Sequence, residues 1–288
     1  MRITSRVITV CCISTILYAS GCSESGSSVS TDVPGNCEPK AEFNTVVEGT
    51  LTVASIQQLP GSNVNAANGE YSGVDSILMP RFAEENCLKL DVKPLDGAAA
   101  TASLTEERAD IGGGGWTKTE DRAKILGLTK ETLWYSQTGI LAHQKMAPSV
   151  ESLRGQKVGI IGGSLYEEPL SKFLGEGSVT TYSSMDSILN DLEIGRLDVT
   201  LASEETMKTT VEKRNDSEEL QFVPFDYDPD HEAVTAVREI GYVYTDGNDS
   251  LGAALDDFII RSKDEGLISN ELETYGLNSK TTLEGPDQ

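Results

Sequence analysis

The chain has 288 residues, 38% of them hydrophobic and 6% aromatic, enough for one large domain or two modest lobes with a real core. Asp and Glu total 46 against 23 Lys and Arg, a formal charge of −23. Such a surface repels nucleic acid and anionic lipid headgroups and reads first as a means of staying soluble. Cys37, Cys87, His143 and His231 lie far apart in sequence and make no zinc signature.

Residues 1–21 read as a targeting segment. Arg2 and Arg6 give it a basic start, and the apolar run from Val7 to Ala19 is too short to span a bilayer stably as a helix. Ala19-Ser20-Gly21-Cys22 then resembles a bacterial lipobox, with Ala19 where leucine is usual. In such sequences cleavage precedes the cysteine, whose sulfur carries a diacylglycerol. The alternative is ordinary secretion with a cut elsewhere. Cys11 and Cys12 leave with the signal and Cys22 is lipidated, so Cys37 and Cys87 remain. They form either a disulfide that pins the linker to the first lobe or two free thiols. Residues 22–47 are rich in Ser, Gly, Pro, Asn and Glu and are expected to be a flexible tether.

The folded part is expected from about Gly49. Thr50 to Ser55 alternates and is β-branched, a strand pattern. From Asp75 the positions Ile77, Leu78, Phe82 and Ala83 follow helical spacing, with Pro80 predicting a kink or a later start. Lys89 to Val92 reads as a strand, Ala98 to Leu104 as a helix, and Ala109 to Gly112 as a short strand running into Gly113, Gly114 and Gly115. Further strands are predicted at 137–142, 157–161, 195–202 and 240–244. Helices are predicted from about Leu165, after a cap at Ser184 or Asp186, and over 251–263. The acidic stretch 203–230 shows no clear period. Alternating strands and helices argue for α/β architecture with mainly parallel sheets.

Two stretches carry chemistry. In Ile111 to Arg122 (IGGGGWTKTEDR) a strand ends in glycines, and Thr117 or Thr119 then caps a helix. A helix start favours an anion, Arg122 adds a fork that can hold a carboxylate, and Gly114 and Gly115 allow close approach to backbone. The alternative is a glycine turn, a routine cap and a surface arginine. Gly162-Gly163-Ser164 is a second anion-friendly loop between a strand and a helix.

Taken together, these pieces resemble the bacterial extracellular solute-binding proteins of family 3, the polar amino-acid receptors of ABC importers, over roughly residues 48–278. Gly69 to Asp75 (GEYSGVD) is similar to the family's opening G-x-x-x-G-[FV]-D segment, and Thr117 to Arg122 to its T-x-T-x-x-R segment. Val150 to Ser164 and Met185 to Asp198 are similar to its two lobe-2 segments, and Ile240 to Gly276 to its closing strand and helices. The resemblance implies a two-lobed periplasmic-binding-protein type II fold with two hinge strands. Lobe 1 would take residues 48–139 and 241–278, lobe 2 residues 140–240, and 279–288 would be a disordered tail. It further implies that Arg122 holds a ligand carboxylate, that Thr117 and the backbone at Gly115 add hydrogen bonds, and that Ser164 and Leu165 contribute donors from lobe 2.

Two departures stand out. Counting from Asp198, the family's ammonium-binding acid falls on Ser203, with Glu204 next. Either Glu204 supplies the charge from a shifted position or the ligand lacks an ordinary α-ammonium. The family's F-S-x-P-Y segment is also missing, replaced by Leu128 to Tyr135 (LTKETLWY). Trp116, or Trp134 with Tyr135, either stacks on the ligand or packs in the core. The expectation is a monomeric receptor, lipid-anchored in the cell envelope, that captures an amino acid or related carboxylate for an ABC permease. No metal, cofactor or catalytic residue is expected. A sensory module for a separate membrane partner and a dehydratase-like enzyme are the alternatives.

Overall fold

The apolar, β-branched run Thr50–Ile56 forms β1, and five of its seven residues are buried because strands flank it on both sides. The computed structural model of the chain describes residues 33, 35–65, 68–175, 177–214 and 220–286. The expected signal segment 1–21, the expected lipidation site Cys22 and residues 23–32 of the expected tether lie outside them.

After β1 come β2 (Asn63–Val64), β3 (Tyr71–Ser72), α1 (Val74–Glu85), β4 (Lys89–Leu95), α2 (Gly97–Thr105), β5 (Ile111–Thr117), α3 (Glu120–Ala123), β6 (Gly127–Leu128) and β7 (Trp134–Ser136). The middle of the chain forms β8 (Thr138–Ala142), β9 (Val158–Ile161), α4 (Glu167–Leu174), β10 (Val179–Tyr182), α5 (Met185–Glu193), β11 (Val199–Ser203), α6 (Glu204–Thr206), β12 (Gln221–Pro224) and α7 (Glu232–Thr235). The chain closes with β13 (Arg238–Tyr244), α8 (Asp249–Asp264), α9 (Leu267–Thr274) and α10 (Lys280–Glu284).

Two sheets result, each in its own lobe. The first runs β4-β1-β5-β13-β6, with β7 also paired to β13; the second runs β10-β9-β11-β8-β12. The chain passes from one to the other at Gln137, between β7 and β8, and returns at residues 236–237, between α7 and β13. Leu51, Leu78, Phe82 and Phe258 pack the first lobe, whereas Ile140, Val158, Leu170 and Val199 pack the second. The expected parallel pairing holds for β4-β1-β5 and for β10-β9-β11. The strands that follow each crossing, β8 and β13, run antiparallel to their neighbours, so both sheets are mixed.

Several expectations are corrected. Pro80 lies inside α1, which starts at Val74; the buried stripe of Leu78, Met79, Phe82 and Ala83 holds the helix across the missing N–H. The stretch without periodicity contains a strand, β12, whose pattern is hidden because it is an edge strand with partly exposed residues. The tail is not disordered over 279–286. Ser279 accepts from Thr282 N at 3.0 Å and caps α10, and Tyr135 lies against Gly285. Nor are residues 37–46 a free tether. Cys37 is disulfide-bonded to Cys87, Phe43 stacks on Phe82 with centroids 5.7 Å apart, and Val46 N donates to Asp110 at 2.7 Å.

Candidate ligand-binding cleft

The C-terminal ends of β1, β5, β9 and β11 converge on a cavity of about 240 Å³ between the two lobes. Open α/β sheets place ligands at this end of their strands. The first lobe contributes Ile56, Gly114 to Thr117, Arg122, Trp134 and Ser136. The second contributes Ile161, Tyr166, Met185, Ser203, Glu205 and Thr206.

On the first-lobe side the glycine run is strand rather than turn, because β5 continues through to Thr117. Its glycines are required by close packing. A Cβ on Gly114, at φ +96, would fall 2.3 Å from Ile56 O, and one on Gly115, at φ +80, 2.6 Å from the Trp134 ring. Behind the strand Asp75 is fully buried. It accepts from Gly114 N at 2.6 Å and from Tyr242 OH at 2.7 Å, and burial pushes its carboxyl up to about 7. Thr119, not Thr117, caps α3 by accepting from Arg122 N at 3.3 Å. That helix has only four residues, so its dipole is weak and the positive charge on this wall is the Arg122 guanidinium. The Arg122 guanidinium donates to Thr117 O and lies 5.1 Å from the Trp116 ring centroid. Burial lowers its pKa, and among the described residues no carboxylate pairs with it.

The opposite charge comes from a residue that the sequence reading missed. Ser203 ends β11 and caps α6, accepting from Thr206 N at 3.2 Å. Glu205 follows in that turn and is buried. Trp134 Nε1 donates to its Oε1 and Ser136 Oγ to its Oε2, both at 3.0 Å. Burial raises its pKa, since the donors nearest to it are neutral. Glu204 faces elsewhere: its Oε2 accepts from Ser279 Oγ at 3.1 Å and Thr282 Oγ1 at 2.8 Å. Among the described residues no cluster of three or more His, Cys, Asp or Glu side chains is placed to hold a metal ion.

Residues 51–278 match the bacterial extracellular solute-binding proteins, family 3. The chain belongs to this family. It is 25% identical to the L-cystine-binding protein TcyJ of Escherichia coli over 225 residues, 76% of this chain and 80% of that protein. Its fold is similar to that of the amino-acid ABC transporter substrate-binding protein AbpA of Streptococcus pneumoniae bound to L-arginine. That likeness has a TM-score of 0.65 at 20% identity and covers 79% of this chain and 94% of the other. It is also similar to the ancestral amino-acid-binding protein AncCDT-1, a precursor of cyclohexadienyl dehydratase. There the TM-score is 0.63 at 20% identity, with 79% and 95% covered.

As a family-3 solute-binding protein, the chain brings Arg122, Thr117, Gly115, Trp116 and Ser203 to one cavity and leaves Ser164, Leu165 and Glu204 out of its lining. Leu165 is exposed. The Gly162-Gly163-Ser164 loop is occupied by the chain's own acid, since Gly163 N donates to Glu167 Oε2 at 2.6 Å. An anion cannot take that N–H without displacing Glu167. Trp116 and Trp134 are both buried and both reach the cavity wall, whereas Tyr135 does not. The signal that could have found Glu205 is the spacing Ser203-x-x-Thr206. It marks a helix cap and puts residues 204 and 205 in one turn; packing on Trp134 decides which of them faces the cleft.

Proposed function

We propose that this solute-binding protein captures an amino acid in the interlobe cleft and hands it to the permease of an ABC importer. The observation that carries the reading is the pairing of Arg122 and Glu205 as opposite charges in one cavity. Neither is matched by an ion pair among the described residues. Arg122 takes the ligand carboxylate with its fork of donors. Thr117 and the backbone at Gly115 add hydrogen bonds to the same group, and Trp116 fixes the guanidinium plane. Glu205 receives the ammonium, so the charge missing at Ser203 is supplied two residues later. The lobes close over the ligand by rotation about the two crossings at Gln137 and residues 236–237.

The binding of L-cystine and of L-arginine named for the relatives supports an amino-acid ligand. A diacylglycerol on Cys22 would hold this monomeric receptor at the envelope beside its permease. Isothermal titration with a panel of amino acids tests the reading. Arg122→Ala should abolish the binding heat while circular dichroism stays unchanged. Equal affinity in wild type and variant would overturn the site.

A further inference from the structure

We infer that the cleft selects a zwitterion of zero net charge, an amino acid whose side chain is uncharged. The inference rests on the amino-acid reading above and names the ligand class within it.

The argument is a charge inventory. Among the described residues lining the cavity, Arg122 is the one cation and Glu205 the one anion. Glu205 is buried and Arg122 half-buried, and each has only neutral partners: Thr117 O and the Trp116 ring for Arg122, Trp134 Nε1 and Ser136 Oγ for Glu205. A buried charge without a counter-charge is unfavourable, and one carboxylate plus one ammonium compensates both at once.

Three acids on elements that border the cleft are engaged elsewhere. Asp75 is behind β5 with both oxygens bonded, Glu204 is turned to α10, and Glu167 holds Gly163 N. The face of Trp116, where a second cation could stack, is already covered by Arg122. The rest of the wall is neutral, polar at Gln58, Ser136 and Thr206 and apolar at Ile56, Met185 and Ile240.

The count does not depend on the pose. Arginine could place its guanidinium on Glu205, but its α-ammonium would then stand unpaired, and either arrangement leaves one cation in excess. Glutamate leaves one anion in excess in the same way. A ligand charge left uncompensated in a closed site weakens binding by about a hundredfold or more.

Titration calorimetry of the full chain tests this with four probe sets. These are L-leucine, L-methionine and L-glutamine; L-arginine and L-lysine; L-glutamate and L-aspartate; and 4-methylpentanoate, which is leucine without its ammonium. The expected result is that a neutral amino acid binds about a hundredfold tighter than any charged one. In Glu205→Gln, leucine should weaken by a similar factor relative to 4-methylpentanoate. Tightest binding of arginine, lysine, glutamate or aspartate by the wild type would overturn the inference while leaving the amino-acid reading in place. Silence of every amino acid would overturn that reading, and this inference with it. The wild-type panel decides the matter even if the variant does not fold.

Discussion

Glu204 and Glu205 are neighbours in the chain but serve opposite sides of the structure. Glu204 Oε2 accepts from Thr282 Oγ1 at 2.8 Å, and Glu205 Oε1 accepts from Trp134 Nε1 at 3.0 Å. One acid fastens the C-terminal helix, which lies beyond the family match at residue 278, to the second lobe. The other reaches from the second lobe to β7 of the first. Both bonds cross the region where the chain passes between lobes, so a one-residue step separates a hold on the C-terminal helix from a place in the cavity wall.

That division predicts different losses. Glu204→Ala removes two hydrogen-bond acceptances, from Ser279 and Thr282. It should lower stability by about 1–2 kcal/mol and raise hydrogen exchange over residues 279–285. Ligand affinity should change little, because Glu205 keeps its own partners. Thermal melting, exchange mass spectrometry and calorimetry on the same variant check the three parts. A loss of binding without loosening of α10 would contradict the division.

Ligand affinity should depend on pH through Glu205. Burial raises its pKa in the free protein, and a bound ammonium favours the ionised form and lowers it again. Binding is therefore tightest above the free-state pKa. It weakens by up to about tenfold per pH unit as pH falls through that value, until the pKa of the complex is reached. Glu205→Gln should show a flat profile over the same range. Calorimetry from pH 8 downward, with release of a proton on binding along the sloping limb, is the check.

Much of the scaffold was legible in sequence because β1, β9 and β13 carry apolar stretches and β4 an alternating pattern, and because α5 and α8 have clear apolar stripes. β12 was not, since an edge strand buries too little to leave a pattern. The cleft divides in the same way. Arg122 could be found because its fork follows a cap and a glycine strand in one continuous segment. For Glu205 the Ser203-x-x-Thr206 cap narrows the choice to one turn and no further, because its orientation is set by Trp134 and Ser136, about seventy residues away. The Gly162–Ser164 loop misled for a related reason. Its Gly163 N–H was available in sequence, but Glu167, one turn on, has taken it. Local pattern shows what a backbone offers; it does not show which side chain has already accepted the offer.

Asp75 should impose a stability cost that grows with pH. Its carboxyl titrates near 3.8 when unfolded and at about 7 when folded. Between those values the folded chain holds a proton that the unfolded chain has released. Stability therefore falls as pH rises through the window, by ~4 kcal/mol at most, and levels off above it. Asp75→Asn has no such titration, and its amide oxygen can still accept from Gly114 N. The difference in unfolding free energy between variant and wild type should widen in the variant's favour from pH 4 to 7. Urea melts across that range measure it, and a constant difference would show that Asp75 titrates as an exposed carboxyl.

The strap from Cys37 to Val46 gives the last prediction. Its disulfide to Cys87 closes a separation of 50 residues and fixes the chain at the end of α1, where Lys40 N donates to Glu85 O at 3.0 Å and Ala41 N to Asn86 Oδ1 at 3.0 Å. Opening the bond enlarges the unfolded ensemble and frees the strap to leave Phe82, which Phe43 covers. The Cys37→Ser, Cys87→Ser double variant, or reduction of the wild type, should cost about 2–4 kcal/mol. Exchange protection should be lost first over residues 37–46. The cleft is built from other segments, so ligand affinity measured well below the new melting point should stay within about twofold. A large loss of affinity would mean that the strap braces lobe 1 as far as β5, through the Asp110 carboxylate that accepts from both Val46 N and Thr52 N.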